Sequence, residues 1–286
     1  MKNKSLLHRV ILQVNIYSFD VVIGSIMMGL FAARILDVQD SIWWYFILAL
    51  SVWVMYTTDH LLDAVKGKEN STFERHTMHY RYRKKIIPIW IVAAVLAGII
   101  ALYELDLEIV YNGLLLGLVV GAYFLFLFYN RQRHPWLLQK ELIIAFIYVG
   151  GIWLAPLVWY ATVPPISILM IVANMILLAW TEGVLVSWFE QNEDLLNHHS
   201  SFTTLFGKRA AKSFVLILLV LAVITAIFCL LFCPIVITLK AAFVVQILMA
   251  FTLAILLLFP VRFRQNQLYR YIGEITFWFP GLILLV

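Results

Sequence analysis

Apolar runs separated by short polar stretches cover almost the whole chain, at 17–36, 42–58, 86–103, 109–129, 141–161, 166–188, 214–232, 235–259 and 271–286. An α-helix rises about 1.5 Å per residue, so a run of roughly 20 residues crosses a hydrocarbon core of about 30 Å. The pattern predicts an all-α membrane protein, a bundle of about nine transmembrane helices in one polytopic domain over 1–286. The last run is short, carries Glu274 and has Pro280 near its middle, so a tilted helix or a re-entrant hairpin fits it as well as a straight span. The longer polar stretches at 61–85 and 189–213 are expected to be loops.

Composition agrees with the pattern. At 63% hydrophobic residues and a mean hydropathy of +0.92, a chain of 286 residues has more apolar surface than a soluble globule can bury. Residues 1–14 are basic and only mildly apolar, and the first strong run lacks a small-residue cleavage pattern, so no cleavable signal peptide is expected. The net charge of +5 becomes informative once located: 19 of the 21 Lys and Arg lie before the first run or after the second, fourth, sixth and eighth, leaving Arg34 and Lys240 on the other side. By the positive-inside rule the N-terminus and every second loop are cytoplasmic and the C-terminus is outside. The expected location is a bacterial inner membrane, with membrane lipid as a partner and no nucleic acid.

The candidate chemistry sits where two runs end. The second leaves the apolar pattern as YTTDHLLD, with Asp59 and Asp63 four residues apart, and the sixth ends in SWFEQNED, with Glu190 and Asp194 at the same spacing. If each helix continues, an i,i+4 spacing stacks both carboxylates on one face, about 5–6 Å apart at Cβ, and a counter-charge should lie between them. Interfacial acids that simply end a helix are the plain alternative, since a carboxylate costs little at headgroup level. The sharper reading is Mg2+, a hard ion that takes one or two carboxylates plus waters and phosphate oxygens. Arg75, Arg81, Arg83, Lys84, Lys85, Arg131 and Lys140 fall on the same side and suit phosphate oxygens, as they also suit anionic lipid. Tyr129, just before NRQR, is either a phosphate donor or an aromatic-belt residue.

These features together resemble the UbiA superfamily of intramembrane prenyltransferases, which has nine spans and acidic motifs after spans two and six. The DxxxD of Asp59 and Asp63 matches the first motif, and SWFEQNED matches the second with Glu at its first acidic position. The stretch SSFTTLFGKRAA at 200–211 is similar to the run that follows the second motif in that family. The usual first motif has an Asn near Thr58 and a third acid near Gly67, and both are missing here. The resemblance implies a Mg2+-dependent enzyme. Asp59, Asp63, Glu190 and Asp194 would hold the metal, and Arg75, Arg131 and Lys140 would bind the diphosphate of a prenyl diphosphate. Tyr129 would assist catalysis, and a small, aromatic acceptor would receive the prenyl group.

Other residues leave other readings open. All seven His lie on the cytoplasmic side, among them HTMH and NHHS, but a di-iron oxygenase needs more boxes than these. Asp20 and Glu182 fall within spans and should face the bundle interior, either to orient an acceptor or as structural pairs. Cys229 and Cys233 are not a redox CxxC and are expected to be inert. On the same fold, a terpene cyclase would need no acceptor. A membrane transporter is the alternative from another class, although transporters place ionisable groups nearer the midplane.

Overall fold

In lipid a backbone must satisfy its own N–H and C=O groups, and a helix does so within one segment. The computed structural model describes residues 12–67, 74–129, 140–197, 200–232 and 236–286, and the described residues form helices and no strand. The long helices are α1 (Phe19–Leu36), α2 (Ile42–Gly67), α3 (Glu74–Glu104), α4 (Leu107–Tyr129), α5 (Lys140–Tyr160) and α6 (Ile166–Phe189). Two short helices follow, α7 (Gln191–Leu196) and α8 (Phe202–Phe206), then the long α9 (Lys208–Phe232) and α10 (Ile237–Leu258). The chain ends with α11 (Pro260–Arg264), α12 (Leu268–Thr276) and a 3-10 segment (Phe279–Leu285). Among the described residues, α1 to α6, α9 and α10 supply eight spans long and apolar enough to cross a membrane. This is a multi-pass integral membrane protein.

The expected ninth span differs. α12 stops at Thr276, because Pro280 lacks an N–H and its ring crowds the turn before it. The 3-10 segment then packs on α1 and α10 instead of continuing outward. Gly281 permits this approach, since a Cβ there would sit 2.6 Å from Met27 Sδ. Trp278 Nε1 donates to the Asp20 carbonyl at 2.9 Å, fixing the end of the chain to the start of α1.

The expected loops are also largely helical. α2 runs through the first acidic pair to Gly67, and α3 begins at Glu74, twelve residues before the apolar run. The polar turns added in this way are not solvated: His60, Asp63 and His79 are buried. The His60 and His79 rings meet edge to face at 5.1 Å, Ser18 Oγ and His60 Nε2 hydrogen-bond at 3.1 Å, and His79 Nδ1 lies 2.8 Å from the Arg75 carbonyl. In the second expected loop, Ser201 caps α8 through a capping box with Thr204. Gly207, at φ +84°, then turns the chain into α9 in a conformation that glycine takes without a Cβ clash.

The core lies between α1, α5, α6, α9 and α10, where Met28, Phe31, Trp153, Met175, Met249 and Leu253 are fully enclosed. Asn174 Nδ2 donates to Gln246 Oε1 at 2.9 Å and Gln246 Nε2 to the Ile171 carbonyl at 2.8 Å, an interhelical polar tie of the kind lipid favours. α3 and α4 are peripheral and turn Ile91, Val95, Leu114, Leu118 and Val119 outward, as a lipid-facing surface requires.

Candidate active site

Because α2 is unbroken from Ile42 to Gly67, Asp59 and Asp63 do share one face. Their counter-charge comes from α5: Lys140, its first residue, places Nζ 3.4 Å from Asp59 Oδ1 and lies within electrostatic reach of Asp63. Glu141 sets that position by turning into the bundle. Its Oε1 accepts from the Phe202 amide at 2.7 Å, and it packs so closely on Gly183 of α6 that a Cβ there would lie 3.2 Å from Glu141 Cβ. The charge of Asp194 also reaches Glu141, so the start of α5 stands between the two acidic pairs.

The second pair is built differently. α6 ends at Phe189, Glu190 leaves helical geometry at φ −100° and ψ 9°, and Asp194 is carried on α7, with its amide bonded to the Glu190 carbonyl at 2.8 Å. Both Glu190 oxygens are engaged from α12: Arg270 donates through Nε to Oε1 and through Nη2 to Oε2, and the Tyr269 hydroxyl donates to Oε1 at 2.7 Å. The Tyr269 ring stacks on Phe189 at 4.4 Å. Burial pushes the Glu190 carboxyl up, to about 8, against the opposing pull of the Arg75 charge and the Tyr269 hydroxyl. The two-pronged Arg270 contact holds the ionised form, since a protonated carboxyl lacks the two acceptor oxygens that the fork needs.

Arg75 enters the interior from the first turn of α3. Its charge reaches Asp20 on α1, Glu182 on α6, Glu190 and Glu274 on α12. Glu182 Oε1 is buried without a hydrogen-bond partner and would lie 3.0 Å from a Cβ at Gly273. Asp20 is better served, accepting from Asn15 Nδ2 at 2.6 Å and the Val21 amide at 3.0 Å.

Beside the first pair, an elongated cleft opens between α2, α4 and α5. Met55, Val120, Phe124, Ile144 and Ile147 line it, with Tyr56 and Tyr123, and Asp59 is its one charged residue. Its cavity volume is about 30 Å3. The Tyr123 hydroxyl is buried and has no hydrogen-bond partner among the described residues. Tyr56 stands between the cleft and the interior acids, its ring 6.5 Å from that of Tyr148 in a T-shaped contact.

Neither a protein-family model nor a curated protein matches the chain. In three dimensions it is similar to a solved structure of a digeranylgeranylglyceryl phosphate synthase in membranes, with a TM-score of 0.56 and 15% identity over 95% of this chain and 96% of that one. The chain shares the all-helical membrane fold of that synthase. Within that fold, the acidic pairs lie at the ends of α2 and α6, at one end of the bundle. Lys140 stands beside Asp59, whereas Arg75 sits deeper, among interior acids. Arg131 and the Tyr129 side chain lie outside the described residues, as do the His76 side chain, His198, His199 and Cys233.

The fit to a divalent ion is uneven. Among the described residues no group of three or more His, Cys, Asp or Glu is gathered as a metal cluster. A diphosphate-bound Mg2+ asks for less, one or two carboxylates. Asp59, at the mouth of the cleft, fits that demand with Asp63 next to it, and Asp194 is placed across the start of α5. Glu190 has both oxygens taken by Arg270 and Tyr269. Sequence reasoning did not single out Tyr269, Arg270, Glu141, Tyr56 or Tyr123. The first two could have been found from the short α12, which puts Tyr269, Arg270, Gly273 and Thr276 on one buried face.

Proposed function

We propose that this protein is an intramembrane prenyltransferase that moves a prenyl group from a prenyl diphosphate to a small aromatic acceptor. The observation that carries this is the cleft between α2, α4 and α5: an apolar slot ending at a single carboxylate next to a lysine has the polarity profile of an isoprenoid tail with a charged head. The solved synthase of similar fold supports the same class.

The closed cleft, at about 30 Å3, widens as α2, α4 and α5 part; the tail then lies along Met55, Val120, Phe124, Ile144 and Ile147, and the diphosphate meets Lys140 beside Asp59. Lys140 shifts from Asp59 toward phosphate oxygens that gain charge as the C–O bond breaks, which is transition-state stabilisation. The Tyr123 hydroxyl, free of other partners, donates to the same oxygens. Arg131 and Tyr129, beyond the cleft-lining part of α4, add to this on the strength of the resemblance. Asp59, Asp63 and Asp194 would hold Mg2+, which would neutralise the diphosphate as leaving group. The rings of Tyr56, Tyr123 and Phe124 shield the allylic cation and stabilise it through their faces. The acceptor ring attacks that cation, and a carboxylate or water takes the proton it loses.

The 19-to-2 distribution of Lys and Arg supports an orientation with this end of the bundle in the cytoplasm of a bacterial inner membrane. One observation favours cyclisation as a second reading: among the described residues, the polar groups on the cleft wall besides Asp59 are two tyrosine hydroxyls, few for holding an acceptor. The test is mass spectrometry of products from purified protein given Mg2+, a series of prenyl diphosphates and a pool of aromatic acceptors. A prenylated acceptor supports transfer, one cyclic hydrocarbon or alcohol replaces it with cyclisation, and intact substrates overturn both.

A further inference from the structure

A second cleft, of about 460 Å3, lies on the other side of the acidic end and takes no part in the chemistry above. Trp188, Pro260, Val261, Arg264 and Gln265 line it. Three membrane-crossing helices meet there: α6 ends at Phe189, α9 begins at Lys208 and α10 ends at Leu258. The cleft therefore sits at the boundary of the hydrocarbon layer.

Its charges are unusual in how they are held. Lys208 Nζ stands 5.0 Å from the Trp188 ring centroid, and the Arg264 guanidinium 5.9 Å from that of Phe189. The Trp188 wall is itself fixed, its Nε1 donating to the Lys208 carbonyl at 3.0 Å. The two cations repel each other, and Glu193 is the acid whose charge reaches Lys208. Among the described residues, neither Lys208 nor Arg264 is in an ion pair. Two like charges brought together over aromatic faces, with one acid in reach, call for an anion.

The lip of the cleft narrows the choice of anion. Phe259 is 58% exposed and Val261 79% exposed, beside the outward-pointing Arg262. A short helix with bare apolar side chains and arginines, starting where a span stops, lies in the interface with its apolar residues toward acyl chains. A free inorganic anion has no use for that lip, whereas an anionic phospholipid satisfies both parts. We infer that this cleft is a binding site for the phosphate headgroup of an anionic membrane phospholipid, held by Lys208 and Arg264, with its acyl chains along Phe259 and Val261.

The test is native mass spectrometry of protein released from nanodiscs of phosphatidylcholine and phosphatidylglycerol in equal parts. Wild type should retain phosphatidylglycerol selectively. The Lys208→Gln/Arg264→Gln double variant should lose about tenfold of that retention, as the removal of two interfacial cations implies, while Arg209→Gln/Lys212→Gln should keep it. Val261→Asp, a change at an exposed position that leaves the packing alone, should also lower retention. Equal retention of both lipids by wild type, unchanged retention in both the double variant and Val261→Asp, or stripping of the lipid by millimolar inorganic phosphate would each overturn the assignment. The last result would reassign the cleft to a free anion.

Discussion

Lys140, at the first position of α5, reaches within 3.4 Å of Asp59, eighty-one residues earlier on α2. The two side chains are 31% and 26% exposed, so the pair adds no more than about 1 kcal/mol to stability. Its value lies in function, because it keeps a cation ready at the mouth of the apolar cleft. Lys140→Met should leave thermal unfolding nearly unchanged and slow pyrophosphate release from a prenyl diphosphate by roughly 100-fold, the cost of losing one preorganised charge. Unaltered turnover in a folded variant would return Lys140 to the role of lipid or topology signal.

The Glu190–Arg270 contact makes the opposite prediction. This pair is buried, and cutting one partner leaves an uncompensated charge, so Arg270→Ala should cost about 3–5 kcal/mol. The variant should also show a pH dependence that extends further than that of wild type. Burial already holds the Glu190 carboxyl up in the intact protein, at about 8 against an ordinary 4.5, and losing the Arg270 cation raises it further. A carboxyl raised in the folded state is easier to fold when protonated, and that advantage is lost as pH rises from 4.5 through about 8. Melting temperature in detergent should therefore fall across that window in wild type and keep falling at higher pH in Arg270→Ala. A flat profile in both would mean that Glu190 is not desolvated as described.

Arg75 supplies a charge common to Asp20, Glu182 and Glu274 in the bundle interior. Arg75→Gln should destabilise strongly, and Glu182→Gln should rescue part of the loss, because Glu182 Oε1 has no hydrogen-bond partner to lose. Additive effects of the two changes in thermal unfolding would separate Arg75 from this group.

Which reaction follows ionisation can be read from pyrophosphate release alone. With a prenyl diphosphate and no acceptor, a transferase should release it slowly and speed up when the correct aromatic acceptor is added. The missing Asn near Thr58 and missing acid near Gly67 should weaken acceptor binding and leave ionisation intact. Fast release without acceptor, with one cyclic product, would convert the assignment to a cyclase on the same fold.

The eight long spans, the helical stacking of Asp59 over Asp63 and the inward placement of Asp20 and Glu182 were legible because each is a local matter of periodicity or apolar length. The partners were not. Lys140 with Asp59 and Arg270 with Glu190 join residues about eighty positions apart, and nothing in their own neighbourhoods marks them. The stretch at 61–85 reads as a loop because Arg75, His76 and His79 are polar. Its described parts, 61–67 and 74–85, fold as helix because the bundle interior offers His79 and Arg75 polar company in His60, Asp20 and Glu182. At the C-terminus Pro280 was visible, but the close seat of Gly281 on Met27, which favours a folded-back segment over a ninth span, depends on α1.

The central claim is that a prenyl tail lies between α2, α4 and α5 with its head at Asp59. A benzophenone-bearing prenyl diphosphate, photolysed on the purified protein and mapped by peptide mass spectrometry, tests it most directly. Labels on Met55, Val120, Phe124, Ile144 or Ile147, lost in competition with unmodified prenyl diphosphate and displaced by Val120→Trp, are the predicted result. Saturable labels confined to α9, α10 or the Trp188 cleft, with none on α2, α4 or α5, would contradict it.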